Sequence, residues 1–249
     1  MIRLDAATLL LQWAAGGLLF LWFTTRRREV GVGYGWLLRG LNMLLAAGAA
    51  FCGFRFGVVP VREASSLAVA VAAAVAVVVS IVRRREFPPA LDLLAPLVAV
   101  PGLIAAAIDA GGNPVVSTIR VLAGTAFLGA VSDAMLLGHW YLVQPGLPRR
   151  HLNDLVRALA WVWPLEVVAM LLPVGMFSVW SGAVDDGWSG QLGWFWAACA
   201  VTTIVLVFVT QAALKERYYS AVMAATGLLY LAILTAFGTD LVARAVLAG

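Results

Sequence analysis

Asp133, in GAVSDAMLLGHW, and Glu166, in WVWPLEVVAM, stand in sequence too apolar to hydrate a charge. Inside hydrocarbon such a group must be neutral, ion-paired or open to a wet cavity, because an isolated charge there costs several kcal/mol. A carboxyl that exchanges its proton in such a place is a proton carrier or a general acid and base. Asp133 and Glu166 are therefore the candidate catalytic pair. The plainer alternative is a hydrogen bond to each from Ser132, Asn42, Gln12 or an indole N–H on another helix.

The residues around them suit a flat ligand. Ser132, Met135 and His139 recur on one helical face, whereas six residues, about 600° of turn, set Asp133 on a different face from His139. Pro164 removes a backbone donor two residues before Glu166, where a bend would bare carbonyl oxygens. His139 and Trp140 on one helix, with Trp161 and Trp163 on the next, are expected to line an aromatic pocket for a quinone headgroup. Counted from the basic ends of their helices, Asp133 lies about 15 Å deep and Glu166 about 12 Å, so the two are expected at similar depth.

Other cofactors fit less well. The chain has two histidines, and His151 follows Arg149 and Arg150 in a loop, so a bis-histidine haem b between helices is not expected. Met135 or Met170 as an axial ligand is more simply packing. Cys52 and Cys199 form no C-x-x-C or Cys/His cluster, and no metal site is expected. GVGYG at 31–35 lacks the Lys-Ser/Thr of a phosphate loop. Arg149, Arg150 and His151 read as a solvated basic loop, with Asn153 or Asp154 capping the next helix. Asp240 and Arg244, spaced i, i+4, read as an interfacial ion pair that Thr235 and Thr239 extend into a polar strip.

The elements that must position these groups are membrane helices. The chain is 63% apolar and 12% charged, against roughly 45–50% and 25% for soluble domains. Eight apolar stretches, at 6–24, 37–57, 65–82, 90–110, 119–143, 155–180, 192–214 and 219–242, each approach the ~20 residues that a helix needs to cross a bilayer. They lack the period-2 alternation of barrel strands. The fold expected is an all-α, polytopic membrane bundle of about eight helices, forming one domain over 1–249.

The loops give an independent check. Twelve of the seventeen basic residues flank the first, third, fifth and seventh connections, while the sixth carries Asp185 and Asp186. Arg3, Arg55, Arg62, Arg120 and Arg244 fall on the other side. The positive-inside rule then sets both termini away from the cytoplasm. Trp22, Trp36 and Trp140 at one boundary, and Trp180, Trp188, Trp194 and Trp196 at the other, match interfacial belts. Arginine exceeds lysine sixteen to one and alanine and valine abound, which fits a bacterial cytoplasmic membrane.

Three functions are compatible with this pattern. The first is a membrane subunit of a respiratory or other redox complex, holding quinone or quinol near Asp133, His139 and Glu166 and receiving electrons from a protein partner. The second is a proton-coupled transporter using Asp133 and Glu166. The third is a non-catalytic assembly or scaffold subunit. The bilayer and other subunits are the expected partners; the basic residues are spread over helix ends, so no nucleic acid is expected.

Overall fold

Without water, only a helix satisfies every N–H and C=O inside its own segment, and long apolar runs with no alternating period take that form. In the computed structural model, which describes residues 5–247 apart from the side chain of Arg85, the described residues form helices and no strand. Arg3 and the Arg85 side chain lie outside the described residues. The helices are α1 (Ala6–Thr25), α2 (Val32–Phe56), α3 (Pro60–Arg83), α4 (Leu94–Asp109), α5 (Pro114–Trp140), α6 (Arg150–Leu171), the single turn α7 (Phe177–Trp180), α8 (Gln191–Ala213) and α9 (Tyr219–Leu247). Two 3-10 turns, Arg84–Glu86 and Pro89–Leu93, lead into α4.

Seven of these helices, α4 with its leading turn included, are long and apolar enough to cross a membrane. The exception is α6, whose 22 residues carry Arg150, Asp154, Arg157 and Glu166. It still runs the length of α5: Arg120, near the start of α5, donates to the carbonyls of Ala169 and Leu172 at the end of α6. The sixth stretch, expected over 155–180, is corrected at both ends. The helix begins at Arg150, with no side-chain cap from Asn153 or Asp154, and stops at Leu171 before Pro173. Proline restricts the residue before it and cannot continue the ladder.

All four basic connections meet at one end of the bundle. Gln144 accepts from the Gly31 N–H, Arg27 pairs with Asp154 at 3.1 Å, and Arg149 donates to the carbonyls of Glu216, Arg217 and Tyr218. At the far end, Arg62 binds Asp5 at 2.7 Å and Arg244 donates to the Arg120 carbonyl.

The core helices are α1 and α5, 61% and 72% buried over their most apolar windows, against 33–39% for the other apolar helices. Small residues allow this. A Cβ on Gly16 would lie 3.0 Å from the Gly129 Cα and closer still to the Thr125 carbonyl oxygen, so α1 and α5 touch backbone to backbone. The Ala/Val-rich α3 buries Ser66, Val69, Ala73, Ala76 and Ser80, a helical stripe against α2 and α4, and turns Val71, Val75 and Val78 outward.

Candidate functional site

The two singled-out carboxyls are both buried, but in different layers. Asp133 is seven residues, about 10 Å, from the basic end of α5, whereas Glu166 is sixteen residues, about 24 Å, from the basic end of α6. The expected similar depth fails at both helix ends: α6 starts five residues before its apolar run, and α5 stops at Trp140, three residues before the end of its own.

Asp133 is 1% exposed, and its Oδ2 lies 2.9 Å from the Thr24 hydroxyl of α1. That hydroxyl is also 2.9 Å from the Phe20 carbonyl oxygen, and it has one hydrogen for two acceptors. The Tyr34 hydroxyl of α2 donates to the Asp133 carbonyl at 3.4 Å, while Asp133 Oδ1 and the buried Ser132 hydroxyl have no partner among the described residues. Nearby, Arg39 of α2 holds Asp92 through two bonds of 2.6 and 2.7 Å, and its guanidinium lies 4.2 Å over the Phe87 ring. This bidentate pair had been hidden by counting Arg39 as a loop flank. An arginine in the third turn of a helix whose neighbour carries an Asp was the available signal.

The aromatic pocket is not assembled. His139 is exposed on the outer face of the bundle, 3.3 Å from the Tyr230 hydroxyl. Trp161 is 78% exposed, and Trp163 donates to the Ala200 carbonyl. Trp140 turns instead toward Tyr34 and donates to Gln144. His151 is no solvated loop residue: it is 4% exposed, with Nε2 2.6 Å from Glu29 Oε2. Arg150 binds the other oxygen of Glu29. The Glu29 carboxyl is held below the ordinary glutamate range, first by the bond to His151, against burial as the next largest effect, with the bond to and charge of Arg150 adding to the lowering.

Glu166 belongs to a far-end cluster. It is fully buried, as is Asp240 of α9; the two carboxyls are within hydrogen-bonding reach, with Arg244 and Arg120 as the other charged neighbours. Arg244 binds Asp240 Oδ1 at 2.7 Å and the Arg120 carbonyl at 2.9 Å. Gln12 of α1 donates to the Val121 carbonyl at 2.8 Å. Both Glu166 oxygens, Asp240 Oδ2 and Gln12 Oε1 lack a donor among the described residues. Gly124 makes the room: a Cβ there would lie 2.7 Å from Arg244 Nη2, 2.9 Å from Gln12 Nε2 and nearer still to Asp240.

Arg120 and Arg244 also line a cavity of about 340 Å³ among α1, α4, α5, α6 and α9, whose other walls include Leu9, Ala107, Val121, Met170 and Leu241. Asp5, paired with Arg62, and the polar Thr8, Asn113 and Ser117 complete the lining; largely apolar walls, two guanidiniums and a carboxyl pair behind them can bind an amphipathic anion and exchange a proton. Among the described residues no group of His, Cys, Asp and Glu is arranged to hold a metal ion. Comparison of the chain with protein-family models, curated proteins and solved structures finds no match.

Proposed function

We propose that the chain is a proton-coupled membrane transporter for an amphipathic monoanion, which enters through the far-end cavity. The observation that carries this reading is the juxtaposition of Glu166 and Asp240 behind Arg120 and Arg244. With both carboxyls ionised the four charges cancel. One proton shared by the pair supplies the missing donor and leaves the cluster at +1, which favours one anion in the cavity. Proton and anion binding thereby help each other.

Release at the basic end requires α1 and α5 to part at Gly16 and Gly129, a rearrangement of packed helices about a small-residue contact. Asp133 is the second proton station in this scheme; a proton on it would let Thr24 accept from Asp133 while donating to Phe20. We assign the basic end to the cytoplasm of a bacterial cell by the positive-inside rule, with α6 as an eighth crossing and both termini outside.

The test is calorimetry of octanesulfonate binding to the protein in neutral detergent, in buffers of different ionisation enthalpy. Uptake of about one proton per anion is expected, lost in Glu166→Gln; binding without proton uptake would overturn the coupling.

A second reading rests on the same cavity. Guanidinium N–H groups over apolar walls also suit the carbonyls of a quinone, as in a subunit of a redox complex with an electron-supplying partner. Quinone co-extracted with the wild type and absent from Arg120→Gln would favour it. A Soret band would instead revive haem, with His139 as ligand.

A further inference from the structure

A larger cavity, about 580 Å³, opens at the basic end between the start of α2, the end of α3 and the connections at 26–31 and 84–88. This inference does not depend on the far-end reading. Two of the neighbouring helix-end arginines have local partners. Arg26 lies 4.2 Å from the Phe23 ring and Arg27 pairs with Asp154. The cavity arginines differ. Arg39 is 4% exposed and committed to Asp92, but the exposed side chains of Arg28 and Arg84 have no hydrogen-bond or ion-pair partner among the described residues, although both residues line the same cavity. Glu29, its nearest carboxylate, is already engaged by His151 and Arg150. Two positive charges therefore face one cavity without compensation.

The remaining walls fit an anion as well. Gly31 precedes α2 with no side-chain cap; its own N–H donates to Gln144 and that of Tyr34 to the Gly31 carbonyl, which leaves the N–H groups of Val32 and Gly33 and the positive end of the helix at this place. The Ser80 and Thr25 hydroxyls also line the space. Its volume is within the range of about 300–1,000 Å³ typical of small-molecule sites and far exceeds the need of a bare ion.

We propose that this cavity binds a phosphate-bearing anion, either a phospholipid headgroup or a soluble phosphate, with Arg28 and Arg84 as its counter-charges. Phosphate matches two uncompensated guanidiniums and backbone N–H donors in charge and in hydrogen-bonding capacity.

The test follows thermal unfolding of the full chain in neutral detergent, read by the reactivity of Cys52 and Cys199. One arm titrates inorganic phosphate and pyrophosphate against chloride at matched ionic strength; the other titrates phosphatidylglycerol against phosphatidylcholine. The cavity variant is Arg28→Gln with Arg84→Gln. The control, Arg26→Gln with Arg83→Gln, removes equal charge outside the cavity, and Arg28→Lys with Arg84→Lys tests rescue. A response to phosphatidylglycerol alone identifies a headgroup, and one to phosphate a soluble source. Either supports the proposal if apparent affinity falls about tenfold or more in the cavity variant, is partly restored by lysine and changes less than about twofold in the control. No response in either arm, or equal loss in cavity and control variants, would overturn it.

Discussion

Glu166 on α6 and Asp240 on α9 meet fully buried, two carboxyl groups with Arg244 on one side and no donor between them. Such a contact is repulsive when both are charged and a hydrogen bond when they share a proton. In the proposed transporter the far-end cluster is the two-state element.

Replacing Glu166 by Gln puts an amide donor against Asp240. At alkaline pH this should raise stability by about 1–3 kcal/mol, the relief of an unpaired buried acceptor, while abolishing proton coupling. Arg244→Ala should do the reverse and cost about 3–5 kcal/mol, because it strands Asp240 without its cation. Thermal midpoints of the two variants, measured across pH, check the opposite signs.

Gly124→Ala should cost about 1–3 kcal/mol and loosen the Asp240–Arg244 pair, since its methyl group takes the space of both side chains. Gly40→Ala is the helix control: nothing stands within 4 Å of its Cβ position, and it should be neutral or stabilising by up to about 1 kcal/mol.

The Glu29 contacts to His151 and Arg150 tie the first connection to α6. Because the folded carboxyl titrates below its ordinary value of 4.5, this tie contributes fully above that pH and is lost as pH falls through the lowered folded value. The protection of 26–31 against hydrogen exchange, taken relative to the intrinsic rate at each pH, should therefore fall on acidification in the wild type. In Glu29→Gln that protection should be low at both pH values.

Arg39→Met alone should cost about 3–5 kcal/mol by leaving Asp92 charged and buried. Arg39→Met with Asp92→Leu should recover most of that, and a double-mutant cycle measures the coupling.

The helices were legible because hydrophobic length and arginine placement act locally along the chain. Four basic connections do gather at one end, as their spacing implied. What failed was depth. The polar first turn of α6, with Arg150, His151 and Asp154 facing Glu29 and Arg27, is helix although its composition reads as loop. The misplaced ends of α5 and α6 together set Glu166 level with Asp133 instead of beside Asp240. Rotation around a helix was equally hidden, because the moment of a lipid-facing segment does not distinguish core from bilayer: Trp161 and His139 face outward for reasons of packing alone. Asp186 gives a smaller instance. Burial alone would raise its carboxyl, but the N–H groups of Gly190, Trp188 and Leu192 hold it below its ordinary value, so this residue of the acidic connection organises the start of α8.

Coupled movement of a proton and an anion is tested most directly in proteoliposomes holding a trapped pH indicator. Octanesulfonate is the anion of a strong acid, stays unprotonated in water and cannot itself ferry a proton across the bilayer. Adding it outside should acidify the interior in the wild type and leave it unchanged in Glu166→Gln. An interior that stays unchanged in the wild type, or acidifies equally in the variant, would contradict proton coupling through the Glu166–Asp240 pair.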